Sequence, residues 1–493
     1  MGDDSLLIER ATDLIKCCKL PRLTRSVDEA PLTPATFQEF LACLNATLPK
    51  IFDLITQHGN RLLGYDPYNQ DNLDFRLQLV LIVTEQLHDP QGPVLDFQTE
   101  HLVFRAQISR IYSEGLLENI VLGEGADQLQ KHLWQHYQKV LPGKEWMFHL
   151  GDLLSFIRIC ELLFSGLLPN VPELTQSIAS LMLSIGISLV EYHDPEYELF
   201  GLRLFNVLLN KEHRKLMMDS NIHQVVFQNA FRLNAKSKKE QFLRNLWQCH
   251  YQYLELTEAH SKDFSKWSKL DDVIETLLDG LAFEQNLEQS SVLLLYLLKL
   301  LTIDLPNHTI DDLDDIQALD NKCHLYEPVL EDLRKLCALE FRNRRFYRWQ
   351  KRLLSMLPFE LEKATSGISR EHGRYMHGVN LLFVLVVFAI EPEAIDSTLE
   401  AKTALVNFLI TFKQHMRDQY GRIQAIRGKC DFLHSLKASV SCDKSISVFG
   451  RSVVERYFKD CPEMLTLFGP DGEESYQEDR IFYECLKELQ RNN

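Results

Sequence analysis

Between Asp194 and Asn210 the chain reads DPEYELFGLRLFNVLLN, and few architectures accept such a segment. Asp194 is a residue type that caps the open amides of a new helix. Pro195 suits the first helical position, where its missing N–H costs nothing. Leu199, Leu202, Phe205 and Leu209 then return on one face, the period of a helix made to pack. Gly201 sits inside it. A glycine there costs about 1 kcal/mol relative to alanine unless its bareness serves packing, so a second helix is expected to cross closely at Gly201.

Most of the chain repeats this design. Its 493 residues exceed the roughly 250 to 300 at which a single core stops growing, so several domains or one elongated array are expected. With only 17 prolines and 21 glycines the chain has too few turn formers for many tight hairpins, which favours an all-α fold. Four helical stretches follow one another at about 143–167, 172–190, 195–210 and 213–256, the last broken near Asn234 to Ser237. Two helices every roughly 40 to 47 residues is the period of HEAT and armadillo arrays. The expected architecture is therefore a HEAT/armadillo-like helical-repeat solenoid, an α-α superhelix.

Punctuation divides the array. Thr33-Pro34 and the capping box Ser397-x-x-Glu400 open helices, and Pro142-Gly143 separates two. Gly64 to Asn72 is rich in turn formers and leads into a helix from Leu73. The expected organisation is an amino-terminal helical region over 1–140, a repeat array over 141–303, an acidic interruption over 304–323 and a carboxyl-terminal repeat region over 324–493.

Charge and cysteines narrow the function. A net charge of -16 disfavours a general polyanion binder, because nucleic-acid affinity rests on Lys and Arg neutralising phosphates. Eleven scattered cysteines, an odd number without any C-x-x-C, fit reduced thiols in cytoplasm and nucleus. The acidic start MGDDSLLIER lacks the basic region of a signal peptide. The apolar stretches at 178–190, 292–301 and 379–390 fall short of the roughly 18 to 20 residues that cross a bilayer, so buried helices and no membrane are expected.

No motif supplies chemistry. His132 and His136 share a helix face, but Leu133 stands where a zinc protease needs its glutamate. Cys249-His250 and Cys323-His324 are neighbours whose side chains diverge by about a hundred degrees on a helix. A buried thiol beside a partly exposed imidazole is expected at each. Gly123-Glu-Gly125 and Gly428-Lys429-Cys430 lack the remaining residues of a phosphate loop. No enzyme activity, cofactor or metal is expected. The one strong charge feature is Arg334 to Arg352, RKLCALEFRNRRFYRWQKR, with eight basic residues against one Glu340. Arg342, Arg345 and Arg352 are placed on one helical face, flanked by Arg344, Arg348 and Lys351, with Phe346, Tyr347 and Trp349 interleaved. The segment can be a solvated face with its aromatics in the core. As a binding surface it offers Arg342, Arg345, Arg348, Trp349 and Arg352 to a protein partner, or alternatively to nucleic acid.

The stretch Asp194 to Asn210, with its acidic and aromatic start, internal Gly201 and terminal Leu-Phe-Asn-Val-Leu-Leu-Asn, resembles the smaller Tel-interacting subunit family of the TTT cochaperone complex. Leu399-Glu-Ala-Lys-Thr-Ala-Leu-Val-Asn-Phe-Leu followed by Gln414-His415-Met is similar to that family's carboxyl-terminal helices in order and spacing, and the likeness extends over about 145–440. The resemblance implies a HEAT-repeat scaffold in a hetero-oligomer with the Tel protein and the larger Tel-interacting subunit. That assembly supports maturation and stability of the phosphatidylinositol-3-kinase-related kinases.

Overall fold

The computed structural model describes residues 2–27, 37–64, 69–86, 115–166, 171–192, 194–233, 239–257, 266–301 and 344–366, with a few single positions between these and on to 382. These residues are 81% helical and include no strand, so the fold is all-α. The chain forms two compact units, Met1–Leu256 and Thr257–Asn493.

The first unit holds α1 (Gly2–Lys16), α2 (Gln38–Leu62), α3 (Gln70–Gln86), α4 (Leu116–Leu122), α5 (Ala126–Val140), α6 (Leu150–Phe164), α7 (Gln176–Val190), α8 (Pro195–Leu208), α9 (Arg214–Asp219), α10 (Ile222–Phe231) and α11 (Glu240–Thr257). Contacts run in succession. α1 packs on α2 and α3, α3 on α6, α6 on α8, α8 on α7, and α7 on α10. α11 joins α8 where Asn206 Nδ2 donates to the backbone and side-chain oxygens of Asn245, both at 3.1 Å. α3 and α5 both pack against α6, so helices on either side of residue 140 share a core.

Helix boundaries follow local chemistry. Asp194 caps α8, accepting from Glu196 N at 2.9 Å, with Pro195 in the first turn. Thr175 does the same for α7, accepting from Ile178 N. α3 starts at Gln70 rather than Leu73, because Asn69 Oδ1 accepts from the amides of Asp71 and Asn72. The stretch expected at 213–256 has a further break at Asn221, whose φ of 57° is left-handed, a conformation asparagine tolerates better than most side chains. Thr33-Pro34, Ser397 to Glu400, Cys323-His324, Gly428 to Cys430 and the 304–323 interruption lie outside the described residues.

α8 departs from the amphipathic expectation. Leu199, Leu202, Phe205 and Leu209 are buried, but so are Phe200, Leu204, Val207 and Leu208 on its other sides. The helix is enclosed by α6, α7 and α10, with α11 bonded to it at Asn206, rather than laid on a surface. It meets α7 through two glycines. A Cβ on Gly201 would lie 2.6 Å from Val190 Cγ1 and 2.8 Å from the Gly186 carbonyl oxygen, and one on Gly186 would lie 2.6 Å from Phe205 Cε1. The obstacle at Gly201 includes backbone, which cannot rotate away. Both Gly201→Ala and Gly201→Leu should therefore lower the urea unfolding midpoint. The leucine variant should fall further, since overpacking typically costs about 1 to 3 kcal/mol. A leucine variant as stable as the parent would contradict the close crossing.

Candidate partner-binding surface

The second unit contains α12 (Lys269–Phe283), α13 (Leu287–Leu301) and α14 (Arg344–Thr365). α14 carries part of the basic cluster, and α12 carries acids four apart at Asp271, Glu275 and Asp279. Residues four apart share a helix face, so this acidic ladder matches Arg348 and Arg352. Arg348 Nη1 donates to Asp271 Oδ2 at 2.5 Å, and Trp349 Nε1 donates to Asp271 Oδ1 at 3.1 Å. Arg352 pairs with Asp279 and reaches Glu275 at 3.9 Å.

Asp271 is the anchor of the pair. Besides α14, its Oδ2 accepts from Ser268 N at 2.9 Å and Ser268 Oγ at 3.2 Å, closing the start of α12. Its side chain is 2% exposed, so these donors replace the water it has lost. Trp267 roofs the pair: the Arg348 guanidinium lies 5.1 Å from its ring centroid, and Trp349 stacks at a tilt with centroids 5.6 Å apart.

The candidates from the basic cluster thus have different fates. Trp349 is buried, while Arg348 and Arg352 hold α14 to α12 and lie on one shared face rather than on separate ones. Arg342 and the side chain of Arg345 lie outside the described residues. The acidic partners Asp271, Glu275 and Asp279 escaped the sequence reading, although their four-residue spacing mirrors that of the arginines.

Beyond Arg352 the two helices part around a cleft of about 1020 Å³. Leu278, Leu281, Leu287 and Met356 contribute its apolar lining, and Phe359 stands on it 69% exposed. Phe283, at the end of α12, is 81% exposed.

Titratable groups also converge in the first unit, without forming an open site. Lys19 Nζ donates to Asp152 Oδ1 at 2.7 Å, His136 Nε2 lies 2.7 Å from the same oxygen, and His149 Nδ1 lies 3.3 Å from Oδ2. Burial opposes ionisation of Asp152, but the two histidines and the ammonium outweigh it and hold the carboxyl well below its usual range. His132 turns away and bonds the Gln128 carbonyl at 2.8 Å, so the two histidines of α5 do not converge. No group of metal-ligating side chains able to hold an ion occurs among the described residues.

Cys249 and His250 correct an expectation. The imidazole is not partly exposed but buried among Phe227, Phe231 and Trp247, because α11 presents both neighbouring faces to the core. Its Nδ1 lies 2.7 Å from the Leu246 carbonyl, and burial pulls its pKa down to about 4. Gly125, with φ of 75°, precedes α5 as its N-cap, so that Gly pair punctuates two helices.

Compared with known protein families, curated proteins and solved structures, the chain gives no match.

Two measurements probe these clusters. Asp271→Ala strips Arg348, Trp349 and the start of α12 of their acceptor at once, and should destabilise the second unit by about 3 to 5 kcal/mol. Arg352→Ala, at a half-exposed pair, should cost under about 1 kcal/mol. Equal effects in urea unfolding would refute the anchoring role of Asp271. The second concerns Glu85, whose Oε1 accepts from Leu20 N and Gln86 Nε2 while Oε2 is buried without a partner. Burial pushes its pKa up to about 8 from an ordinary 4.5, only partly offset by those bonds. Between those values the folded chain holds a proton that the unfolded chain lacks, so stability falls as pH rises and the loss is complete above about 8. Glu85→Gln should abolish that slope, gaining over the parent at about pH 9 and little at about pH 5. Parallel stability curves would contradict it.

Proposed function

We propose that the chain is a non-enzymatic protein-binding scaffold, a solenoid of stacked helical hairpins, acting in cytoplasm and nucleus as the smaller Tel-interacting subunit family does. The observation that carries this reading is the succession α3, α6, α8, in which each helix is buried against the next. Helical arrays of this kind put their length into extended recognition surfaces rather than an enclosed pocket. By the resemblance of Asp194 to Asn210 and Leu399 to Met416, the partners are the Tel protein and the larger Tel-interacting subunit, held in a hetero-oligomer. No helix among the described residues is long and apolar enough to cross a membrane. The nucleic-acid alternative gains no support from the arginines, since Arg348 and Arg352 spend their charge on Asp271 and Asp279.

An obligate partner stabilises a folded chain by mass action, so removing one subunit lowers the standing level of the others. Acute degradation of this protein should therefore reduce the Tel partners first and the large kinases next, with transcripts constant. Partner and kinase levels unchanged over several days of full depletion would refute the scaffold reading. Sub-micromolar RNA affinity at physiological salt, falling steeply as salt is raised, would favour the nucleic-acid reading instead.

A further inference from the structure

We propose that the cleft between α12, the start of α13 and α14 receives an amphipathic helix of a partner protein, one that offers an apolar strip flanked by Lys or Arg. The inference deepens the scaffold reading and rests on it.

Leu278, Leu281 and Met356 form a buried floor with Leu287 half-buried beside them, while Phe359 stands out from it 69% exposed. Burying an exposed aromatic side chain is favourable, so among the described residues this cleft gains from a cover. The described residues include no strand and hence no sheet edge on which an extended peptide can add. A groove between helices takes an apolar helix face.

Arg352 is engaged by Asp279 and Glu275. Lys363 Nζ lies 3.0 Å from Glu360 and donates to the Leu281 carbonyl at 3.3 Å, closing the end of α12. Both basic residues of the cleft are thus neutralised from within. Glu284 and Glu288, at the turn into α13, have no cation beside them among the described residues. An acidic partner would meet like charge at this mouth, and a basic one is drawn to it.

The test places p-benzoylphenylalanine at position 359 of the full chain in cells, illuminates, and maps the crosslinked peptide by mass spectrometry. The expected peptide belongs to another protein, spaces apolar residues at helical intervals and carries Lys or Arg beside them. Glu284→Lys with Glu288→Lys should lower the crosslink yield about tenfold, the loss expected for roughly 1.4 kcal/mol of binding. Glu288→Lys alone, at an exposed position, should lower it by a smaller factor and serves if the double variant does not fold. A crosslink to this same chain, to a second copy, or to an acidic segment overturns the proposal, as does a yield unmoved by either variant or no crosslink at all. Partners co-purifying with the same cells' unmodified chain separate the two claims. A stoichiometric hetero-complex that ignores the cleft variants overturns the cleft and leaves the scaffold standing. Absence of any such complex overturns both.

Discussion

A helix enclosed on every side must find partners for its polar groups inside the protein, and the first unit is arranged around that requirement. α6 is buried along nearly its whole length, yet it carries Asp152, Ser155 and Arg158. Asp152 is held by Lys19, His136 and His149. Ser155 Oγ sits 2.7 Å from both Thr84 Oγ1 and Tyr137 Oη, and Arg158 Nη1 donates to the carbonyls of Thr84 and Glu85. Each neighbour of α6 is thereby tied to it by a bond as well as by apolar contact. α8 follows the same rule, its buried Arg203 making a two-pronged bond to Glu161 at 2.6 Å on each arm. Leaving such a group unmatched costs several kcal/mol, so these bonds specify which helices lie together.

The same accounting reaches the helix ends. The last carbonyls of a helix have no partner within it. Here side chains from other elements supply one: Asn72 for Leu62, Arg76 for Ile120, Gln130 for Val121, and Asn210 and His213 for Ser165 and Phe164. Glu85 is one of several buried groups that keep an atom without a partner. Its Oε2 lies where Gly151 has no side chain, and a Cβ there would approach to 2.3 Å. The group keeps a proton instead of a partner, the usual response of a carboxyl buried without a cation at bonding distance.

What the sequence showed depended on whether the deciding contact was local. The start of α8 was legible because Asp194 and Pro195 act on their own helix. Gly201 was legible as an oddity, since a glycine in a helix needs a reason, but its counterpart Gly186 lay in an apolar run where nothing marks it. The burial of α8 was written in Phe200, Leu204, Val207 and Leu208, which put apolar side chains on more than one side of the helix. His250 could not be read at all, because its surroundings come from α10, whose Phe227 and Phe231 approach through tertiary packing. The cleft was equally hidden, being made by residues about 70 positions apart in the chain.

The second unit inverts the roles that sequence composition suggests. A run of arginines looks like a surface waiting for a partner, and exposed phenylalanines look like errors. On α14 Arg348 and Arg352 are the adhesive, set into a ladder of carboxylates one helical turn apart. The face that carries Arg352 returns two turns later at Phe359, where α12 is ending. One stripe of one helix therefore passes from charged contact within the chain to apolar contact left unmade. Because Arg352 and Lys363 are already paired, what the described residues show at that end is apolar surface with an acidic edge, although the helix that helps build it opens in the most basic stretch of the sequence. Recognition at such a site is governed by the charges left over after folding, and those have the opposite sign to the charges that a reading of the segment alone would count.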